Sequence, residues 1–223
     1  TLVGCLANVT ANCAIQPDAN GHVDIPDNTI GIGTLFSRNI VMDPSLGPFL
    51  GCTELKTVSI PDTTLWIGWS AFSGSGLQTL HLPDSVTYID IYAFLNANIT
   101  IANLGSLTDQ GPMILKTNPL TSLTIPDTLT SIAEGMLYQT DLTSISLPDS
   151  INYIGPNAFE LTPLERLDIP DSVTGIGVGA FASCTSLEFV NFGNSLNFIG
   201  RNSFTSTWSL TSIFLPNTLT SIV

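Results

Sequence analysis

Apolar and polar residues alternate over short stretches that recur along most of the chain, and many of these stretches end at a proline. Leu167 and Ile169, for example, alternate with polar residues and are followed by Pro170 and Asp171. Alternation with a period of two predicts a short strand with one buried face. Proline ends such a strand because it has no N–H to donate, and the following aspartate is expected to cap a local turn through its side chain.

The same pattern recurs at a nearly fixed spacing. An apolar residue followed by proline and aspartate occurs at Ile25-Pro26-Asp27, Ile60-Pro61-Asp62, Leu82-Pro83-Asp84, Ile125-Pro126-Asp127, Leu147-Pro148-Asp149 and Ile169-Pro170-Asp171. Weaker copies stand at Ile101-Ala102-Asn103, Phe192-Gly193-Asn194 and Leu215-Pro216-Asn217. The later anchors lie about 22 to 23 residues apart, a period typical of solenoid repeats. One repeat cannot bury its apolar face alone, so neighbouring repeats are expected to stack.

Beyond each anchor, the repeat continues with a hydroxyl residue, an apolar residue, Ile-Gly and Ala-Phe. The clearest copy has Ser172-Val173, Ile176-Gly177 and Ala180-Phe181. This motif resembles the BspA-like leucine-rich-repeat family, and the resemblance covers roughly residues 25 to 223. We therefore expect an α/β repeat protein, a leucine-rich-repeat solenoid of about nine coils of about 22 to 23 residues. It should have short parallel strands on one face and 3-10 or short helical turns on the other.

The resemblance also implies a class of function. Members of the family are secreted or cell-surface proteins of bacteria and unicellular eukaryotes, often linked to adhesion and protein binding. The resemblance implies neither a catalytic site nor a cofactor. The family often has cysteine three residues after the phenylalanine, and here that position holds Cys52, Ser75, Ala97, Thr140, Thr162, Cys184 and Thr207. We interpret it as a slot that needs a small side chain rather than a thiol.

The N-terminal part of the chain departs from the repeat. Residues 1–24 do not fit it, and Cys5 and Cys13 are close enough in sequence to predict a disulfide-closed cap over the first coil. Cys52 and Cys184 are several repeats apart, so we expect two buried thiols. Residues 25–223 are assigned to the solenoid, with an insertion at about 35–47 and irregular repeats at about 95–119. The insertion is either a binding loop or the slack loop of a degenerate repeat.

The last repeat stops before its Gly-x-x-Ala-Phe segment. We predict that Leu215, Leu219, Ile222 and Val223 form an open, apolar inter-subunit end. Either further repeats or another copy would cover it, and head-to-tail stacking of copies would give a filament. The first residue is Thr1, and no signal-peptide pattern is present, so we expect a trimmed product of a longer precursor.

Charge and composition narrow the partners. Asp and Glu number 18 against 5 Lys and Arg, giving a formal net charge of −13. Five scattered cations cannot neutralise a run of phosphates, so nucleic-acid binding is not expected. No stretch approaches the ~20 apolar residues that a transmembrane helix needs. Sequons at Asn8 and Asn98 make both candidate glycosylation sites, and with the cysteine pair they indicate an extracellular protein, either secreted or on the cell surface.

The residues that could carry chemistry are few. His22 and His81 have no cysteine, serine or acid at a spacing typical of a nucleophile or a zinc site, so no enzyme and no cofactor is predicted. Asp127, Asp149 and Asp171 recur once per coil and form a row that is a weak calcium candidate. The alternative is that each aspartate caps its own turn, which also suits the asparagines at the weaker anchors.

One aromatic cluster stands out on the flank of the predicted solenoid. Trp66 and Tyr88 occupy a position that should point outwards, and Trp69, Ile91 and Tyr92 lie close by in sequence. Exposed aromatic residues next to an insertion predict a patch that binds protein or carbohydrate. The alternative is that these rings pack against one another along the solenoid.

These observations favour a non-catalytic extracellular or cell-surface protein that mediates adhesion or protein binding. The first alternative is a structural subunit whose copies stack into an extracellular filament. An enzyme is the least supported class, because the composition leaves little material for a charged cleft.

Overall fold

The computed structural model describes residues 13, 15–33 and 47–223, together with the backbone of a strand at Leu2–Val3. It is a β-solenoid of about seven turns with parallel strands. The described ranges contain no helix, so the predicted helical turns are not confirmed. The predicted count of nine coils is not confirmed either. The insertion predicted at about 35–47 lies, apart from Gly47, outside the described residues.

Two lines of short strands run along the solenoid. The first line has three-residue strands: β2 (His22–Asp24), β4 (Thr57–Ser59), β6 (Thr79–His81), β8 (Ile101–Asn103), β10 (Ser122–Thr124), β13 (Arg166–Asp168) and β15 (Phe189–Asn191). The second line has two-residue strands: β1 (Leu2–Val3), β3 (Gly31–Ile32), β5 (Trp66–Ile67), β7 (Tyr88–Ile89), β9 (Asp109–Gln110), β11 (Ser131–Ile132), β12 (Tyr153–Ile154), β14 (Gly175–Ile176), β16 (Phe198–Ile199) and β17 (Ser221–Ile222).

Each strand pairs with its equivalent one coil away. The first line forms the sheets β2-β4, β6-β8-β10 and β13-β15, and the second forms β1-β3-β5-β7-β9 and β11-β12-β14-β16-β17. The register places equivalent residues opposite each other, as for Trp66 and Tyr88 in β5 and β7. Between β9 and β11 the amide Nε2 of Gln110 donates to the backbone oxygen of Ser131 at 2.8 Å. A side chain therefore bridges the point where the second line is interrupted.

The turn after each anchor proline is closed by the main chain. The N–H three residues after the proline donates to the proline oxygen, as in Val173 to Pro170 at 3.1 Å. The expected aspartate cap is therefore not what closes this turn. The hydroxyl residue of the motif instead links coils, as when Ser172 Oγ donates to the oxygen of Ile151 at 2.6 Å. The same bond joins Thr128 to Leu107, Ser150 to Leu129 and Thr218 to Leu196.

The third side, here called the turn side, contains the segment around each Ala-Phe pair. Two residues per coil, four positions apart, have positive φ: Ser70 and Gly74, Tyr92 and Asn96, Met113 and Thr117, Gly135 and Gln139, Asn157 and Leu161, Gly179 and Ser183, and Asn202 and Ser206. A left-handed residue cannot continue a right-handed helix. This is the physical reason that the segments are successive turns rather than the predicted helical pieces.

Alternate N–H groups of the turn side bond to the following coil. The N–H of Phe72 donates to the oxygen of Ala93 at 2.7 Å, and that of Gly74 donates to the oxygen of Leu95 at 2.8 Å. The N–H groups in between stay within the coil, as in Ser73 to Ser70 at 3.1 Å. On the turn side, backbone hydrogen bonds therefore tie successive coils together from Phe49 to Thr205.

The core runs the length of the solenoid and contains two stacks of phenylalanine rings. Phe49, Phe72 and Phe94 stack at 4.9 and 5.2 Å between ring centroids. Phe159, Phe181 and Phe204 stack at 5.2 and 5.3 Å. The buried Leu115 and Leu137 stand in the two coils between the stacks. The loss of the Ala-Phe signature near 95–119 thus changes the packing of the core but not the course of the chain.

In several coils, the slot three residues after the phenylalanine position is a hydrogen-bonding position. Thr140 and Thr162 each donate from Oγ1 to the backbone oxygen three residues earlier, at 3.1 and 2.8 Å. Asn118, which the sequence pattern did not identify, fills the slot after Leu115. Its Oδ1 accepts from the N–H of Ile99 at 2.9 Å, and its Nδ2 donates to the oxygens of Phe94 and Leu115 at 2.8 and 2.9 Å. A small size is therefore only part of what the slot requires.

The disulfide prediction is wrong. Cys13 is bonded to Cys52, with a Cα–Cα distance of 5.1 Å and a separation of 39 positions in the chain. Cys13 therefore has no bond left for Cys5, which lies outside the described residues. Cys184 is a buried free thiol, as expected, and burial raises its pKa. The error arose because proximity in sequence was used where proximity in the folded solenoid decides the pairing.

Candidate functional site

The first line of strands presents a regular surface, here called the strand face. It consists of the first and third side chains of each three-residue strand, while the middle side chains, such as Leu80 and Val190, are buried. Serine or threonine fills three of the seven first positions, at Thr57, Thr79 and Ser122. The departures are His22, Ile101, Arg166 and Phe189. In a repeat, such departures are the natural candidates for specific contacts.

His22 lies in a polar network on β2 and β4. Its Nδ1 is 2.7 Å from Thr57 Oγ1, and its Nε2 is 3.1 Å from Asp24 Oδ1 and 3.0 Å from Ser59 Oγ. The hydrogen bonds from His22 and Ser59 lower the pKa of Asp24. Ser59 and Asp24 share one ring nitrogen, so this serine, histidine and aspartate do not form a catalytic relay, which needs both nitrogens.

Arg166 and Phe189 lie opposite each other in β13 and β15. The Arg166 guanidinium carbon is 4.9 Å from the centroid of the Phe189 ring, which is a cation–π contact. Phe189 is 39% exposed although it is the first residue of a strand in the body of the solenoid. The pairing of Arg166 with Phe189 depends on the register between coils, which the sequence alone does not display.

The predicted aromatic patch is less exposed than expected. Trp66, Trp69, Tyr88, Ile91 and Tyr92 are all half-buried. The ring of Trp66 covers Gly31 on the neighbouring strand, where no side chain would fit. The hydroxyl of Tyr88 donates to Asp90 Oδ1 at 3.3 Å, and burial raises the pKa of Tyr88 to about 12. Packing along the solenoid, the alternative left open by the sequence, therefore accounts for much of the position of Trp66 and Tyr88.

The anchor aspartates Asp127, Asp149 and Asp171 are exposed on successive coils. Over the described ranges, no group of three or more aspartate, glutamate, histidine or cysteine side chains is placed to hold a metal ion. Asp171 instead accepts from the backbone N–H of Asn194 at 2.7 Å and from its Nδ2 at 3.2 Å. The structure gives the calcium hypothesis no geometric support.

Most of the remaining predicted sites lie within the described residues, and one lies outside them. Asn98 is exposed and has a positive φ of 69°, whereas Asn8 lies outside the described residues. At the inter-subunit end, Leu215, Ile222 and Val223 are exposed and Leu219 is half-buried. Glycosylation and end-to-end stacking both stay predictions. In the part of the chain that the structure describes, no helix is long and apolar enough to span a bilayer.

Comparisons with known proteins agree with the repeat geometry. The family profile described as a BspA type leucine-rich repeat region matches residues 47–112 and 111–223, with six copies. The chain belongs to this family. A search of curated protein sequences finds no match.

Solved structures of leucine-rich repeat proteins provide a fold comparison. A leucine-rich repeat protein from Bacteroides ovatus aligns over 90% of this chain and 68% of its own, with 22% identity and a TM-score of 0.53. One from Eubacterium ventriosum covers 91% and 80%, with 18% identity and a TM-score of 0.41. A leucine-rich cell surface protein from Faecalibacterium prausnitzii covers 93% and 82%, with 19% identity and a TM-score of 0.38. The first of these likenesses supports the solenoid fold.

Membership of the BspA-type family confirms the resemblance drawn from the repeats. The family suggests a protein-binding role, and its fold is typically non-catalytic. Within the solenoid, the strand face is a surface whose side chains differ from coil to coil while the backbone repeats. It is therefore the candidate functional surface.

Proposed function

We propose that this chain is the non-catalytic binding module of an extracellular or cell-surface protein, which mediates adhesion by binding other proteins. The observation that carries the proposal is a stack of BspA-type repeats whose buried positions are uniform while the strand face differs from coil to coil. A rigid scaffold with a variable surface suits recognition, because affinity depends on a few well-placed anchors.

Two further observations support an extracellular location. The Cys13–Cys52 disulfide would be favoured in an oxidising compartment. The sequon residue Asn98 is exposed, so a glycan there would meet no steric barrier from the core. Glycosylation of Asn98 and of Asn8 remains part of the proposal.

The test is a binding screen with the folded, oxidised chain immobilised on a sensor. The analytes are a panel of purified extracellular-matrix and cell-surface proteins and a glycan array, and the control surface carries the reduced, unfolded chain. We expect saturable binding of at least one protein with a Kd of about 10 µM or tighter. Binding only to glycans, or equal binding to the unfolded control, would contradict a protein-binding module.

The predicted aromatic patch can be separated from the strand face in the same screen. Trp66→Ala and Tyr88→Ala remove rings from the patch, and Trp69, Ile91 and Tyr92 provide further positions. Because Trp66 and Tyr88 are half-buried, thermal unfolding of each variant must be measured beside binding. A loss of binding at unchanged stability would assign the partner site to the patch.

A further inference from the structure

The coils of β13 and β15 combine four departures from the repeat. Arg166 and Phe189 stand where three other strands of the strand face begin with serine or threonine, and Glu165 and Glu188 directly precede the two strands. We call Arg166, Phe189, Glu165, Glu188 and Asp168 the ledge. All five side chains are exposed. Phe189 exposes apolar area at a position where a serine or threonine suffices in other coils, and that area gains free energy only when a partner covers it.

The carboxylates of the ledge are arranged unfavourably in the absence of a partner. The N–H of Glu188 donates to the backbone oxygen of Glu165 at 2.9 Å, so the two glutamates occupy equivalent positions on adjacent coils. Like charges at neighbouring strand positions destabilise a sheet. Across residues 13, 15–33 and 47–223, the only contact with salt-bridge geometry joins His22 to Asp24, and it is ionic only when His22 is protonated. The glutamates and Asp168 therefore form no ion pair with Arg166, whose guanidinium lies over the Phe189 ring.

A groove continues the ledge towards the anchor turns. It has a volume of about 450 Å³ and is lined in part by Asp168, Asp171, Asn191 and Asn194. Its polar lining presents carboxylate and amide groups, whereas Phe189 provides the apolar contact beside it. A side chain that ends in a cation would meet oxygen acceptors here.

We propose that the ledge docks an extended segment of a protein partner in which lysine or arginine residues flank an apolar residue. This proposal rests on the protein-binding function proposed above and names the chemistry of the partner. The apolar residue would cover Phe189, and the cations would lie near Glu165, Glu188 and Asp168. The net charge of −13 selects a basic segment over an acidic one and would accelerate its association.

The probe is a fluorescein-labelled peptide of about ten residues in which lysine alternates with leucine, and its binding to the full chain is followed by fluorescence anisotropy. Control peptides replace lysine by glutamate or leucine by serine. We expect the lysine–leucine peptide to bind at least about tenfold more tightly than either control. Raising NaCl from about 50 to about 300 mM should weaken the binding of the lysine–leucine peptide, because the ledge is exposed and its charges are screened.

Two variants of the ledge test its components separately. Phe189→Ser removes the ring, and the double change Glu165→Gln with Glu188→Gln removes two charges but keeps the side-chain shape. Each should weaken the lysine–leucine peptide at least about fivefold. The matched controls are Ile101→Ser, which removes an exposed apolar residue from β8, and Glu54→Gln, which removes an exposed acid outside the ledge. Both controls should bind as the unmodified chain does.

Equal binding by the ledge variants and the controls, or equal binding of the glutamate–leucine peptide, would overturn the proposal. If Phe189→Ser unfolds, the double glutamine variant still decides the charge requirement. A protein from the screen that binds Phe189→Ser and the double glutamine variant at full strength would overturn the ledge but leave the proposed function intact. Ledge-dependent peptide binding without any protein hit would support the ledge and count against the proposed adhesion role.

Discussion

Left-handed backbone conformations recur at two positions of each turn-side segment from Ser70 to Ser206. The residues there range from glycine and asparagine to Leu161, Met113 and Tyr92. An L-residue in this conformation costs roughly 1–2 kcal/mol, which glycine avoids. The side chains at these positions share no chemical property, so the sequence pattern could not reveal the conformation that replaces the predicted helical turns.

Leu161 and Leu65 offer a matched test of this strain. Both are leucines with comparable exposure, 42% and 49%, but only Leu161 has a positive φ, of 62°. We expect Leu161→Gly to have an unfolding free energy about 1–2 kcal/mol higher than that of Leu65→Gly, because only the first change relieves strain. Urea unfolding of both variants gives the comparison. Equal losses in the two would mean that Leu161 is not strained.

Asn118 is the residue on which three backbone groups depend. It is 1% exposed, and removal of its amide would leave the N–H of Ile99 and the oxygens of Phe94 and Leu115 without this partner. We expect Asn118→Ala to lower the unfolding free energy by about 3 kcal/mol or more. Thr140→Val, which removes one hydrogen bond from the same slot, should cost about 1 kcal/mol. Similar losses would show that the slot depends on volume alone.

At the scale of the element, the two phenylalanine stacks are what the Ala-Phe signature encodes. Phe181 is fully buried between Phe159 and Phe204. We expect Phe181→Ala to lower the unfolding free energy by about 3–5 kcal/mol, because a large ring leaves a cavity in a close-packed core. Phe189→Ala, at an exposed phenylalanine, should cost less than about 1 kcal/mol. A small effect at Phe181 would mean that the core collapses to fill the space.

Strands and anchor turns were predictable because their determinants are local. Alternation of apolar residues and the lack of an N–H on proline fix the strand before Pro170, and the structure confirms β13 there. The role of Ser172 was not predictable, because its hydroxyl bonds to Ile151 on the preceding coil. In the same way, the pairing of Arg166 with Phe189 depends on a register between coils that a single repeat does not display.

At the scale of the whole molecule, the Cys13–Cys52 bond ties the N-terminal segment to the body of the solenoid. We expect Cys13→Ser to lower stability by about 2–4 kcal/mol, since the disulfide restricts the unfolded chain. Reducing agent should lower the Tm of the unmodified chain but leave that of Cys13→Ser unchanged. Cys184→Ser keeps the disulfide and is the control. A Tm that is independent of reducing agent would contradict the observed pairing.

The N-terminal coil should also respond to acid. Backbone hydrogen bonds from His22 and Asn20 lower the pKa of Asp18, and the side-chain hydrogen bonds of His22 and Ser59 lower that of Asp24, both from an ordinary value of 3.8. A depressed folded-state pKa gives stability that is present above the unfolded value and is lost as pH falls through the folded one. We therefore expect amide protection around β2 to decrease below about pH 4. Asp24→Asn should make the amide protection around β2 less dependent on pH. An unchanged pH dependence in this variant would argue against the role of Asp24.

Some features of the whole molecule follow from the period of the repeat, and others do not. The period of the anchors predicted a stacked solenoid of this family, because each coil must cover the next. The partner of Cys52 could not be deduced, because it comes from Cys13 in the segment that does not follow the repeat. The ledge could not be deduced either, since neighbouring coils place Glu165 and Glu188 side by side only after stacking.

The hydrogen bonds of the turn side determine the direction of the electric dipole along that side. There, the N–H groups that link coils all point towards the later coil, as in Phe72 to Ala93, Phe159 to Ala180 and Phe181 to Ser203. Aligned peptide dipoles add, as they do in an α-helix, but here the positive end faces the C-terminal coils instead of the N-terminus. The turn side is therefore electrically polar along its length, so its two ends attract charges of opposite sign.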